Sequence, residues 1–215
     1  SNTASASLNY TGTGTANVLL RTASGGNIVI DAPSTSNRSQ FLAGSGKLNM
    51  VLWTRFNSEG QAGTITINDA AVTTNGGHVW MGGGNQAAST WNGLTVGRGD
   101  VATWSGNTIA LNVANTNIST GGGNVSLSGL GWYTGGSWVA YSGGIKLDKS
   151  TITTGAGKID LTGKVAGKNY NGGYGLDLSG GQLVSTTGAI TLRGEVTSTD
   201  AVGLDGSQRV LATYI

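Results

Sequence analysis

Few side chains in this sequence are of types that do chemistry. The chain has one histidine, His78, in the run NGGHVWM, and no cysteine. Alternation of period two puts His78 on the side of Trp80 and opposite Val79 and Met81. A metal centre would need a second imidazole or carboxylates beside it. No such partner flanks His78, which reads as a loop or surface residue. The acids are scattered: Asp31, Glu59, Asp69, Asp100, Asp148, Asp160, Asp177, Glu195, Asp200 and Asp205. Clustered carboxylates with a base, with or without calcium, would suit a polysaccharide lyase or glycoside hydrolase. Asp148, Asp160 and Asp177 could approach one another across successive segments, yet no Asp-Asp or Asp-x-Asp run supports a cluster. The expectation is therefore no catalytic residue, no cofactor and no metal. Residues 172–177, GGYGLD, imitate the start of a calcium nonapeptide. Ser179 stands where that motif needs a large apolar residue, and no second copy follows.

Aromatic rings are the more promising chemistry. Residues 130–144, LGWYTGGSWVAYSGG, carry Trp132, Tyr133, Trp138 and Tyr141, with Trp91 and Trp104 before them and Tyr170 and Tyr174 after. Ring faces beside Asn and Ser suit sugars, whose C–H faces stack while their hydroxyls find polar partners. Those four residues are the candidate ligand-binding set. The competing reading makes them a satellite core beneath a long loop, since tryptophan is largely buried on average.

Composition narrows the partners. A formal net charge of +2, from 12 basic and 10 acidic residues, is too small and dispersed for a phosphate-tracking surface, so no nucleic acid is expected. Lys146, Lys149, Lys158, Lys164 and Lys168 form a local excess that reads as solvated outward positions blocking edge pairing. No apolar run reaches the length of a membrane span, so no insertion is expected. The N-terminal run SNTASASLNYTGTG lacks the basic start and apolar core of a signal peptide.

Which elements would position these residues? With 39 Gly and one Pro, the chain could be disordered, but β-branched and aliphatic residues alternate through it. Residues 145–163, IKLDKSTITTGAGKIDLTG, read as strand, Ser/Thr connection, Gly turn and strand. Residues 176–194 repeat this position for position. Residues 109–129 match with two extra residues and 65–82 with one fewer. The Gly-turn strands begin their apolar residues at Ile28, Leu48, Val79, Val125, Ile159 and Ile190, and residues 1–15 offer little to pack. From the last aliphatic of one strand to that of the next, the interval is 14 for Ile67–Met81, Leu147–Leu161 and Leu178–Leu192, and 16 for Leu111–Leu127. A fixed pair with a variable third arm is the signature of a solenoid coil whose insertions, here 82–107, 130–144 and 164–175, bulge from one side. The step of 46 from Val79 to Val125 is either one coil with a large insertion or two coils, one disguised. Residues 1–215 thus read as a single all-β solenoid segment of a longer repetitive protein.

The texture of GGIKLDKSTITTGAGKIDLTG and GYGLDLSGGQLVSTTGAITLRG resembles the repeat region of two-partner-secreted exoproteins, the filamentous haemagglutinin-like and high-molecular-weight adhesins of Gram-negative bacteria. The resemblance covers about residues 65–194. That family's secretion domain carries Asn-Pro-Asn motifs, and with Pro33 alone this chain would correspond to the shaft or a distal part. The resemblance implies a right-handed parallel β-helix, export through an outer-membrane transporter partner, and a place on the bacterial surface. Its role would be non-enzymatic attachment to a receptor on a host or neighbouring cell, with glycans among the candidates. Two other classes stay open: a filament subunit associating end to end, and a carbohydrate-active β-helix enzyme.

Overall fold

The computed structural model describes residues 6–22, 25–32, 36–54, 63–84, 89–103, 108–133, 142–167 and 173–198. Every described element is a β-strand, and the strands wind as a parallel β-solenoid. Each coil passes through three sheets in turn. The first sheet stacks β3 (Ile28–Ile30), β6 (Ile65–Asn68), β12 (Ile109–Ala114), β15 (Gly143–Asp148) and β18 (Tyr174–Asp177). The second stacks β1 (Ser7–Tyr10), β4 (Ser39–Ala43), β7 (Ala70–Thr73), β13 (Asn117–Ser119), β16 (Thr151–Gly155) and β19 (Gln182–Ser185). The third holds β2 (Thr15–Arg21), β5 (Lys47–Thr54), β8 (Val79–Gly83), β14 (Val125–Tyr133), β17 (Ile159–Gly167) and β20 (Ile190–Ser198). Among the described residues no helix is long and apolar enough to cross a membrane.

A coil has no core of its own, so each buries its apolar face against its neighbours. Val79, Val125, Ile159 and Ile190 stand in register on the third sheet, as expected. Ile65, Leu111 and Ile145 do so on the first, and Val72, Ile118 and Ile152 on the second. All of these except Ile190 are essentially shut off from solvent. Burying each contributes about 1.5–3 kcal/mol. Parallel strands about 4.8 Å apart satisfy the backbone between coils.

The repeat is stricter than the sequence suggested. Residues 65–83, 111–129, 145–163 and 176–194 are four equal units, for Ile65, Leu111, Ile145 and Leu176 are register partners. The extra pair in 109–129 and the deficit in 65–82 disappear. Val113, not Leu111, is the mate of Ile67 and Leu147, which brings its interval to Leu127 to 14 like the rest. Ile28 moves as well: it pairs with Ile65 on the first sheet, and the third-sheet strand preceding β5 is β2, which begins where the stretch expected to pack little ends. Met50 rather than Leu48 is the mate of Val79. The step of 46 is one coil with an insertion, since Val72 pairs directly with Ile118 and Val79 with Val125.

Stacking repeats the polar devices too. Thr74, Thr120 and Thr154 are buried, and each hydroxyl donates to the carbonyl three residues on, of Gly77 (2.6 Å), Gly123 (2.5 Å) and Gly157 (2.6 Å). Those glycines form a column with Gly188. A Cβ on Gly123, Gly157 or Gly188 would run into the carbonyl of the glycine one coil earlier. Close approach, not positive φ, is what demands glycine there. Positive φ at the preceding corner is carried mostly by other residues, Asp69, Asn115 and Lys149, with only Gly180 completing that column. At the next corner glycine does supply it, at Gly76, Gly121, Gly122 and Gly155.

Candidate functional site

One arm leaves the rod after the third-sheet strand β8, on the side expected for insertions. After Gly83 the chain forms a hairpin of β9 (Ser89–Trp91) and β10 (Leu94–Val96), antiparallel with Leu94 opposite Trp91. Asn92 and Gly93 turn it with φ of 47° and 78°, the mirror-image turn that matches strand twist and that Asn-Gly favours. The arm then bridges back from Gly99 to Gly83, by amide–carbonyl bonds of 2.7 and 2.9 Å. β11 (Val101–Thr103) pairs parallel with β14 at residues 129–131. The arm therefore re-enters the ladder just beyond the point at which β8 leaves it. Asp100 fixes the re-entry by accepting from Ser128 Oγ and from Lys164 Nζ at 3.2 Å.

Beneath the hairpin lies a second apolar cluster, on the outer face of the third sheet. Val51, Trp53, Trp80, Leu94 and Val96 are buried there, with half-buried Trp91 packed against them. Trp53 Nε1 donates to the Gly84 carbonyl at 2.9 Å, and the Arg21 guanidinium sits 5.4 Å from the Trp53 ring centroid as a cation–π partner. His78 does share its face with Trp80, but it is half-buried rather than free. Its ring meets Trp91 edge-on at 5.7 Å, and its Nδ1 accepts the Asn124 amide at 2.9 Å. Burial, then the charge of Lys47, holds its pKa below the usual value.

The residues singled out from sequence divide three ways. Trp132 lies in β14, half-buried, in register with Ala166 of β17. Tyr133 ends the same strand. Residues 130–133 are thus sheet and not insertion, as are 164–167 in β17. Trp138 and Tyr141 lie outside the described residues, as do Trp104 and Tyr170. Tyr174 sits in β18, its phenol pushed up to about 12 by burial and by Asp177 and Asp148. The three acids are not brought together: Asp148 and Asp177 are on the first sheet and Asp160 is on the third. Among the described residues no group of three His, Cys, Asp or Glu is placed to hold a metal ion.

The hairpin and its buried tryptophans are the feature sequence reading missed. The pair Asn92-Gly93 between Trp91 and Leu94 was the available signal. The rings it covers, Trp53, Trp80 and Trp91, form a small apolar core of their own, distinct from the four candidate residues. Searches of protein-family models, of curated proteins and of solved structures each return no match to this chain.

Proposed function

We propose that this chain is a non-enzymatic segment of an extracellular bacterial surface adhesin, a stiff shaft that presents aromatic residues on one flank for attachment to another cell. The observation that carries the reading is the strict repetition itself. Four equal units stack with the same Gly and aliphatic columns, the buried Thr recurs in three of them with Ser185 in the fourth, and the described hairpin arm leaves after a third-sheet strand. A solenoid of this kind holds reach and spacing at little sequence cost, and its free side can carry unique chemistry. Trp132, on the outward face with Ser126, Ser128 and Leu130, leads the contact set with Tyr133, Trp138 and Tyr141, and a glycan is the partner their rings suit.

Beads coated with the purified chain should adhere to cells or to arrayed glycans, and Trp132→Ala should remove that adhesion without lowering the melting temperature. Adhesion unchanged in this variant, or none by the parent chain, would refute attachment through this flank. A head-to-tail filament has its own supporting observation. Leu20 and Ile190, on the inward-facing ladders of the two end coils described, are 37% and 42% exposed, whereas Leu52 and Ile159 next to them are 0%. Sedimentation that grows with concentration into long linear species would favour it over a monomeric shaft.

A further inference from the structure

His78 occupies a column whose occupants on the adjacent coils are asparagines. The His78 amide donates to Asn49 Oδ1 at 2.8 Å, the Asn124 amide to His78 Nδ1 at 2.9 Å, and the Lys158 amide to Asn124 Oδ1 at 2.9 Å. Each side chain thus accepts the backbone N–H of the next coil. An asparagine carbonyl accepts at any pH. An imidazole nitrogen accepts only while it lacks a proton, so the bond requires the tautomer with hydrogen on Nε2.

The same coil contact holds the hairpin. Asn124 Nδ2 donates to Asn92 Oδ1 in the hairpin turn at 3.2 Å, and Trp91 lies against the His78 ring. The surroundings do not favour a cation. Lys47 of β5 is the charged group acting on the ring from the coil before. Beyond Asn124 stands Lys158, while the hairpin and β14 present neutral Trp91, Asn92 and Asn124.

We propose that His78 is an acid-sensitive latch: its protonation removes the acceptor for the Asn124 amide, sets a positive charge in a partly buried place near Lys47, and releases the hairpin to uncover Trp53, Trp80 and Trp91. The sign follows from linkage. The folded-state pKa is depressed, so the unfolded or open state binds the proton more readily. The latch therefore contributes fully above the ordinary pKa of about 6.5 and is lost as pH falls through the lower folded value. It governs exposure of Trp53, Trp80 and Trp91 and stands whether or not the chain attaches to a cell.

The test follows the whole chain from pH 8 to 4 by imidazole and amide NMR and by acrylamide quenching of tryptophan emission, against His78→Asn. Asparagine restores the acceptor used on both adjacent coils, so this variant should keep its hairpin closed to pH 4. In the parent chain the imidazole should titrate below 6.5, the Asn124 amide shift with the same midpoint, and quenching rise at least twofold along that curve. Carboxylate titrations are common to both proteins and cancel in the comparison. An imidazole midpoint at or above 6.5, titration with no change in quenching, or the same acid transition in His78→Asn would overturn the latch. Should His78→Asn fail to fold, the NMR and quenching midpoints of the parent chain decide alone.

Discussion

Two segments lie against the same strand, β14, and owe their places to different physics. β8 pairs with its first residues and β11 with its middle. β8 belongs to a unit whose inward contacts are repeated one coil away: Val79 on Val125, Gly77 on Gly123, the hydroxyl of Thr74 on its turn. β11 closes an arm whose contacts occur once: Trp53 under Gly97, Asp100 on Lys164, Asn92 on Asn124. In a stacked rod a residue is specified by copies of itself, so an error at one level is felt at the levels on both sides. In an arm each contact is bespoke, and losing one opens only the arm.

The comparison breaks or sharpens with substitutions, and the largest effect belongs to the columns. Ile159→Asp places a carboxylate between Val125 and Ile190 in a fully buried position and should abolish cooperative folding. Ser119→Asp, exposed on the second sheet, should leave melting within about 2 °C of the parent. Circular dichroism melts of the two decide it, and equal melting would end the case for the register. Thr153, which the sequence alone marks as an outward turn position, is a poorer control. It lies half-buried in β16 beside buried Thr154.

Glycine separates the regions next. Gly123→Ala drives a Cβ into the Gly77 carbonyl, so the coils must part, and a loss of more than about 3 kcal/mol is expected. Gly93→Ala, in the hairpin turn, meets nothing within 4 Å and suffers only its φ of +78°, a cost of about 1 kcal/mol confined to the arm. Denaturant midpoints that reverse this order would show the close approach to be negotiable. Thr120→Val falls between the two. It keeps the shape but leaves the buried Gly123 carbonyl without its donor, a loss of about 1–3 kcal/mol in the same assay.

The legibility of each region follows the same division. Period two and repetition exposed the inward columns at Val125, Ile159 and Ile190 because those residues meet their own kind. The unit boundaries slipped where the sequence offers equivalent anchors. Ile109 and Leu111 are both apolar and two apart, so the alignment could start on either, and the run Gly82-Gly83-Gly84 hides which glycine ends the unit. Ile28 misled because its segment follows a Gly-Gly pair, as a third-sheet strand does, and only inter-coil pairing assigns it to the first. The strand through Trp132 was concealed by Gly129, which looks like a terminus but is a close approach to the Gly144 carbonyl within a continuing strand. The arm's contacts had no repeat to reveal them. Only the Asn92-Gly93 turn was local enough to read.

Among truncations of buried side chains, the smallest effect on the rod should come from emptying the cluster beneath the hairpin. Leu94→Ala removes a side chain buried between β10 and the face formed by Val51, Trp53 and Trp80. In a single cooperative core such a truncation costs about 2–5 kcal/mol. Here the hairpin meets the rod on its outer face, and the ladders of the three sheets persist when it lifts. The expected cost is therefore a local opening, with the main melting temperature falling by less than about 4 °C. Acrylamide quenching of tryptophan emission should rise at temperatures well below that transition, because Trp53 and Trp80 lose their cover. If Leu94→Ala instead lowers the main transition as far as Gly123→Ala does, hairpin and rod unfold as one unit. The distinction between bespoke and repeated contacts would then carry no energetic meaning in this protein.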